Sequence, residues 1–135
     1  MPHEELPKVL IVDDDKYIRD SIKELLAKWH INADDAEDGE SAIRRLKKGA
    51  YSLILLDMKM GNRDGLDVLN EMKKLSISTP TILITAYPHD ERVKEALKYN
   101  VNLRLIKPIN PGELKKTISQ FVKIPPHAGS SIGEE

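Results

Sequence analysis

The sequence predicts a doubly wound α/β domain with a five-stranded parallel sheet in the order 2-1-3-4-5, and three observations carry that expectation. Val9-Leu10-Ile11-Val12, Leu53-Ile54-Leu55-Leu56 and Ile82-Leu83-Ile84 are apolar runs without polar alternation, which reads as strands covered on both faces. These runs alternate with stretches of helical periodicity, and alternation of that kind implies right-handed crossovers around a parallel sheet. Each strand-like run also stops on a polar residue. Asp13, Asp57, Thr85 and Lys107 stand at these ends, where open α/β sheets bind their ligands.

Taken in order, residues 1–7 form a short polar lead-in, and strand 1 runs into Asp13-Asp14-Asp15. Ile18, Ile22, Leu25, Leu26 and Trp29 then recur at helical spacing, with Asp15 placed to cap a helix over 16–29. A weak strand over 31–36 carries Asp34 and Asp35 near its end, charges that suit an edge position. Asp38-Gly39 opens a second helix with Ala42, Ile43 and Leu46 inward, and Gly49 stops it. The third strand covers 51–57. Asp64 caps a helix that buries Leu66, Leu69 and Met72. Pro80 admits strand 4 over 81–85, and a helix over 89–99 buries Val93, Ala96 and Leu97. Strand 5, over 103–106, leads into Lys107-Pro108. Asn110-Pro111-Gly112-Glu113 is a helix start with a capping Asn and Pro at the first helical position. Leu114, Ile118 and Phe121 supply the last buried stripe. One domain over 8–123 is expected, with 124–135 as a tail or linker start lacking periodicity.

The chain has 135 residues, enough for one domain with a substantial core. Its 21 Lys and Arg against 22 Asp and Glu leave a formal net charge of -1, so no global charge draws it to nucleic acid or an anionic membrane. The absence of cysteine excludes a disulfide framework, a thiol nucleophile and a thiolate metal site. No apolar stretch approaches the ~20 residues needed to span a bilayer. Residues 1–7 lack the basic-then-apolar pattern of a secretory signal, and a cytoplasmic protein is expected.

With strand 1 beside strand 3, Asp13 and Asp14 approach Asp57, and such carboxylates repel by ~4 kcal/mol per pair at about 4 Å and an effective dielectric of about 20. A positive charge must sit among them. A hard cation with oxygen ligands fits, Mg²⁺ first and Mn²⁺ next. Lys107 adds an ammonium and Thr85 a hydroxyl, both suited to phosphoryl oxygens. Singly, each admits a plainer reading as a cap, a strand end or a solvated lysine. Jointly they describe Asp57 as a nucleophile that accepts a phosphoryl group.

These motifs resemble the response-regulator receiver domain of two-component signalling: Asp13-Asp14 after strand 1, Asp57 after strand 3, Asp64-Gly65 opening the third helix, Thr85-Ala86 after strand 4 and Lys107-Pro108 after strand 5. The resemblance spans nearly all of 8–123 and implies a flavodoxin-like (βα)5 fold. It also implies that Asp57 takes its phosphoryl group from a phosphohistidine on a sensor histidine kinase or histidine phosphotransfer protein. Asp14, Asp57 and the backbone carbonyl of Lys59 would bind Mg²⁺ directly, and Asp13 through water. Thr85 would be the switch hydroxyl and Lys107 the phosphate-binding lysine, with a cis peptide before Pro108. A monomer or weak dimer that catalyses only its own phosphorylation and dephosphorylation is implied, with no direct contact to nucleic acid.

Three positions depart from the family pattern. Gly61 replaces the usual Pro and should loosen the loop beside the site, Asn100-Val101 replace Gly-Ala, and Arg104 occupies the aromatic switch position. Other classes fit less well. A phosphatase using an aspartyl phosphate carries a second Asp two residues after the nucleophile, where this chain has Lys59; a flavodoxin-like cofactor binder needs a phosphate loop where three aspartates stand. A receiver that binds partners without phosphorylation would not need the full acidic set.

Overall fold

A computed structural model describes residues 8–49, 51–59 and 64–125. Five strands and five helices alternate along the chain: β1 (Lys8–Val12), α1 (Lys16–Lys28), β2 (Asn32–Ala36), α2 (Gly39–Lys48), β3 (Leu53–Asp57), α3 (Gly65–Lys74), β4 (Thr81–Thr85), α4 (Glu91–Ala96), β5 (Val101–Ile106) and α5 (Pro111–Ile118). The strands form one sheet in the order β2-β1-β3-β4-β5, every pair parallel. This is the fold and the order that the sequence predicts.

Side-chain alternation divides the interior into two cores. Leu10, Val12, Ile54, Leu56 and Leu83 point to the face covered by α2, α3 and α4, where they meet Ala42, Leu46, Leu69, Met72 and Val93. Val9, Ile11, Leu53, Leu55, Ile82 and Ile84 point to the other, against Ile22, Leu26 and Trp29 of α1 and its flank and Leu114 and Ile118 of α5. Neighbouring residues of one strand thus serve opposite cores, which is why β1, β3 and β4 carry no polar alternation.

Local chemistry fixes where the helices begin. Asp15 accepts the Tyr17 N–H, and Asp38 with Ser41 and Asp64 with Asp67 form reciprocal capping pairs. Asn110 accepts the Glu113 N–H ahead of Pro111. Gly65 meets a packing demand, since a Cβ there would stand 3.2 Å from the Asp57 carbonyl oxygen and 3.3 Å from Met58 Cα. Its N–H donates to the Met58 carbonyl at 2.8 Å.

Several expected boundaries shift. The fourth helix is shorter than 89–99: Asp90 caps it by accepting the Arg92 N–H, and the Lys98 and Tyr99 N–H groups fall back on Glu95 and Ala96 in tightened turns. Leu97 accordingly lies at the surface, 37% exposed, and is not part of the buried stripe. The fifth strand starts earlier, at Val101; the Asn102 side chain accepts the Thr81 N–H at 3.0 Å beside a register irregularity at Thr81 and Ile82. Helix α5 stops at Ile118, so Phe121 packs on the core from a following turn. The peptide before Pro108 is cis. The expected looseness at Gly61, the lead-in over 1–7 and the last ten residues lie outside the described residues.

Candidate functional site

Parallel strand pairing brings the candidate residues to one rim of the sheet. Val12 lies opposite Leu56 and Asp57 opposite Ile84, so the turn after β1 and the end of β3 are neighbours. The Met58 N–H donates to the Ile84 carbonyl at 2.9 Å, and the Lys107 N–H to the Thr85 carbonyl at 2.8 Å. These bonds extend the ladder one residue past the strands and hold the backbone at the site rigidly.

Three of the expected residues form an acidic cluster. Asp13, Asp14 and Asp57 each place a carboxylate oxygen within 4.8 Å of the others, with Asp13 and Asp57 buried and Asp14 exposed. Lys107 enters from the end of β5 and sets Nζ 3.0 Å from Asp57 Oδ1 and 3.5 Å from Asp13 Oδ2. Thr85 is buried, and its hydroxyl oxygen accepts the Tyr87 N–H at 2.9 Å. The rim is therefore built by four strands. The carboxylates of β2 do not join it: Asp34 is held by Tyr51, Lys8 and Arg45, and Asp35 by Arg19 and Lys23. Their role in this structure is to tie the edge strand to its neighbours.

The cluster's electrostatics follow from burial. Desolvation raises the Asp57 carboxyl, the Lys107 hydrogen bond opposes it and the Asp13 and Asp14 charges add to it, leaving a pKa of about 6. Asp13 is also raised, by burial first, against the Asp15 N–H and Lys107. For Lys107, burial favours the neutral form, but the hydrogen bond and charge of Asp57, with Asp13 behind it, outweigh burial and raise its pKa. Lys107 thus stays an ammonium, one cation shared by more than one carboxylate.

Lys59 is exposed two residues past Asp57, and its Nζ lies 5.5 Å from the centroid of the Tyr87 ring, two residues past Thr85. At that distance the ammonium and the ring attract each other. Arg104 is exposed, as its charge requires, and its Nη1 donates to the Pro88 carbonyl at 3.4 Å.

Sequence reasoning overlooked Arg19. Its guanidinium is buried, with Nη1 donating to the Asp13 carbonyl and Nε to Asp35 Oδ2, each at 2.8 Å. The signal was present, since Arg19 stands three residues before Ile22 and seven before Leu26 on the helix's buried stripe. It also missed the ion pair of Arg92 with Asp64, reinforced by Asp67, which joins the starts of α3 and α4.

A parallel, doubly wound sheet that gathers carboxylates from two adjacent strands and a lysine from a third defines an α/β class built around an acidic pocket at the strand ends. The chain belongs to the response regulator receiver domain family, which it matches across residues 9–119, and the acidic cluster lies at that family's phosphorylation site. It is 30% identical to the chemotaxis protein CheY of Halobacterium salinarum, covering 85% of this chain and 96% of that one. It is 32% identical to the transcriptional regulatory protein ZraR of Escherichia coli over 89% of its length, but spans only 27% of that relative. Among solved structures, the response regulator TrrA of Thermotoga maritima, in complex with Mg²⁺ and BeF, superposes with a TM-score of 0.78 at 32% identity, covering 87% of this chain and 100% of that one. No helix among the described residues is long and apolar enough to cross a membrane.

Proposed function

We propose that this chain accepts a phosphoryl group on Asp57 from a phosphohistidine of a sensor histidine kinase or histidine phosphotransfer protein, and that its phosphorylation state controls partner binding. The observation that carries this reading is the contact of Lys107 Nζ with Asp57 at 3.0 Å inside a cluster of three carboxylates. An Asp57 oxygen forms the new O–P bond while the donor's N–P bond breaks and its electron pair returns to the imidazole. Lys107 follows the negative charge from the carboxylate to the phosphoryl oxygens, and the Thr85 hydroxyl donates to one of them.

The all-oxygen donor set and its crowded negative charge fit Mg²⁺, with Mn²⁺ the next choice. Asp14 and Asp57 would hold it with the Lys59 carbonyl, and Asp13 through water. When bound it supplies charge neutralisation for phosphoryl transfer. The chain's catalysis is confined to its own phosphorylation and dephosphorylation.

Asp57→Asn is expected to abolish labelling by acetyl phosphate or a phosphorylated kinase, because an amide oxygen is a far weaker nucleophile. Full labelling of the variant, read by mass shift on the intact protein, would refute the assignment.

The Lys59–Tyr87 contact supports a long phosphoryl lifetime, since side chains paired two residues past Asp57 and Thr85 would stand in the path of an attacking water. Lys59→Asn combined with Tyr87→Ala should speed dephosphorylation by about tenfold, roughly 1.4 kcal/mol of barrier. An unchanged decay of phosphoprotein would dismiss the cover.

Arg104 favours a relay or phosphate sink over a switch that drives an output through α4, β5 and α5. An outward arginine leaves no aromatic ring to swing inward, and burying an unpaired guanidinium is costly. Beryllofluoride should therefore move amide resonances chiefly around Asp57 and the start of α1. Shifts from Val93 through Ile118 as large as those beside Asp57 would overturn the relay reading.

A further inference from the structure

Asp13 is held more completely than any strand-end geometry requires. Its N–H donates to the Ala36 carbonyl of β2 at 3.1 Å, its Oδ1 accepts the Asp15 N–H at 2.9 Å, and its Oδ2 faces Lys107. Its carbonyl accepts Arg19 Nη1 at 2.8 Å in a buried setting. The same guanidinium spends Nε on Asp35, whose other oxygen meets Lys23 at 3.3 Å. A backbone carbonyl needs no charged donor merely to be satisfied. A planar fork that bridges a carboxylate on β2 and a peptide after β1 fixes direction as well as distance.

We propose that Arg19 is a positioning residue for the acidic end of the pocket: anchored on Asp35, it holds the Asp13 peptide in the orientation that turns Asp13 and Asp14 toward Asp57 and so sets the affinity for a divalent cation. This rests on the phosphoacceptor reading above and extends it to a residue that touches neither metal nor phosphoryl group. The grip is two-sided, β2 backbone on the N–H and α1 side chain on the carbonyl. Asp14, exposed beyond that peptide, inherits its direction from it.

Lysine cannot take over the role. Its ammonium is a point donor on a flexible stem, without the rigid fork that spans two acceptors at set angles. Arg19→Lys keeps the charge and loses the bridge. Partners of this indirect kind typically tune metal affinity by about 10–100-fold. In the variant the Mg²⁺ concentration giving half-maximal acetyl phosphate labelling should rise about tenfold, while the rate at saturating Mg²⁺ stays within about twofold. Calorimetric titration with Mg²⁺ alone should show the same loss, and the Asp15 amide resonance should move in the metal-free protein because its acceptor on Asp13 has turned.

Asp35→Asn keeps the guanidinium and weakens its anchor, so the same shift is expected to a smaller degree, and this variant carries the test if Arg19→Lys does not fold. Lys23→Ala, which removes the outer cation on Asp35, should leave Mg²⁺ affinity unchanged. A purely structural Arg19 would instead lower thermal stability and labelling amplitude with the half-saturating Mg²⁺ unmoved, and that result overturns the proposal while leaving the phosphoacceptor reading intact. Wild-type protein that neither binds Mg²⁺ nor takes up a phosphoryl group overturns both.

Discussion

Metal-free Asp57→Asn is expected to be more stable than the wild type at pH 7, by about 1–3 kcal/mol. Burial and the neighbouring carboxylates place the folded-state pKa of Asp57 at about 6, against roughly 3.9 in the unfolded chain. Below about pH 4 both states carry the proton, and the group's contribution to stability is complete. As pH rises from there, the unfolded state ionises first and stability falls. The loss is full once the pH passes the folded value of about 6. Asparagine has no proton to lose and escapes the penalty, although Lys107 then gives up its closest partner, which trims the gain. Denaturant midpoints at pH 7 and at about pH 4, where the gap should vanish, check this, and a variant less stable than wild type at pH 7 would contradict it. Mg²⁺ should close the gap from the other side, since a ligand at about 100 times its Kd stabilises the state that binds it by about 2.7 kcal/mol.

Lys107→Met should be the most destabilising single change at the pocket, costing about 3 kcal/mol at pH 7 without metal, because it leaves buried carboxylates with no compensating charge. The raised pKa of Lys107 means that its stabilisation is fully present across the neutral range and is lost only as alkaline pH passes its folded-state value. Removing it also lifts Asp57 further, so the variant should recover part of its deficit as pH falls. Thermal melts in chelator and in Mg²⁺ separate these effects, with the metal restoring much of the loss. A variant as stable as wild type in chelator would show that Lys107 does not offset the carboxylates.

The central strands were legible because a parallel strand sandwiched by two helical layers has nowhere to put a polar side chain until it emerges. Asp57, Thr85 and Lys107 could be found for the same reason, as the first polar residues beyond Leu56, Ile84 and Ile106. Legibility faded at the margins. Helix α4 has six residues, too few for its periodicity to mark its ends against capping and tightened turns. The β5 strand, paired on one side only, alternates in burial and begins at an irregular pairing. Arg19 and Asp35 are sixteen residues apart and belong to different elements. The helical stripe marks Arg19 as inward, but only the fold supplies Asp35 as its partner. Asp34 and Asp35 were expected at an edge and are there, but what they accomplish is pairing within the molecule.

The hydrogen bond from Gly65 to Met58, with the glycine seated against the Asp57 carbonyl, works like the drawstring of a bag. It cinches the start of α3 to the end of β3, so the helix cap at Asp64 and the carboxylate of Asp57 are fixed to one another through a single tight contact. Asp57 therefore keeps its place only so long as position 65 stays small, because any side chain there would prise the helix away from the strand end.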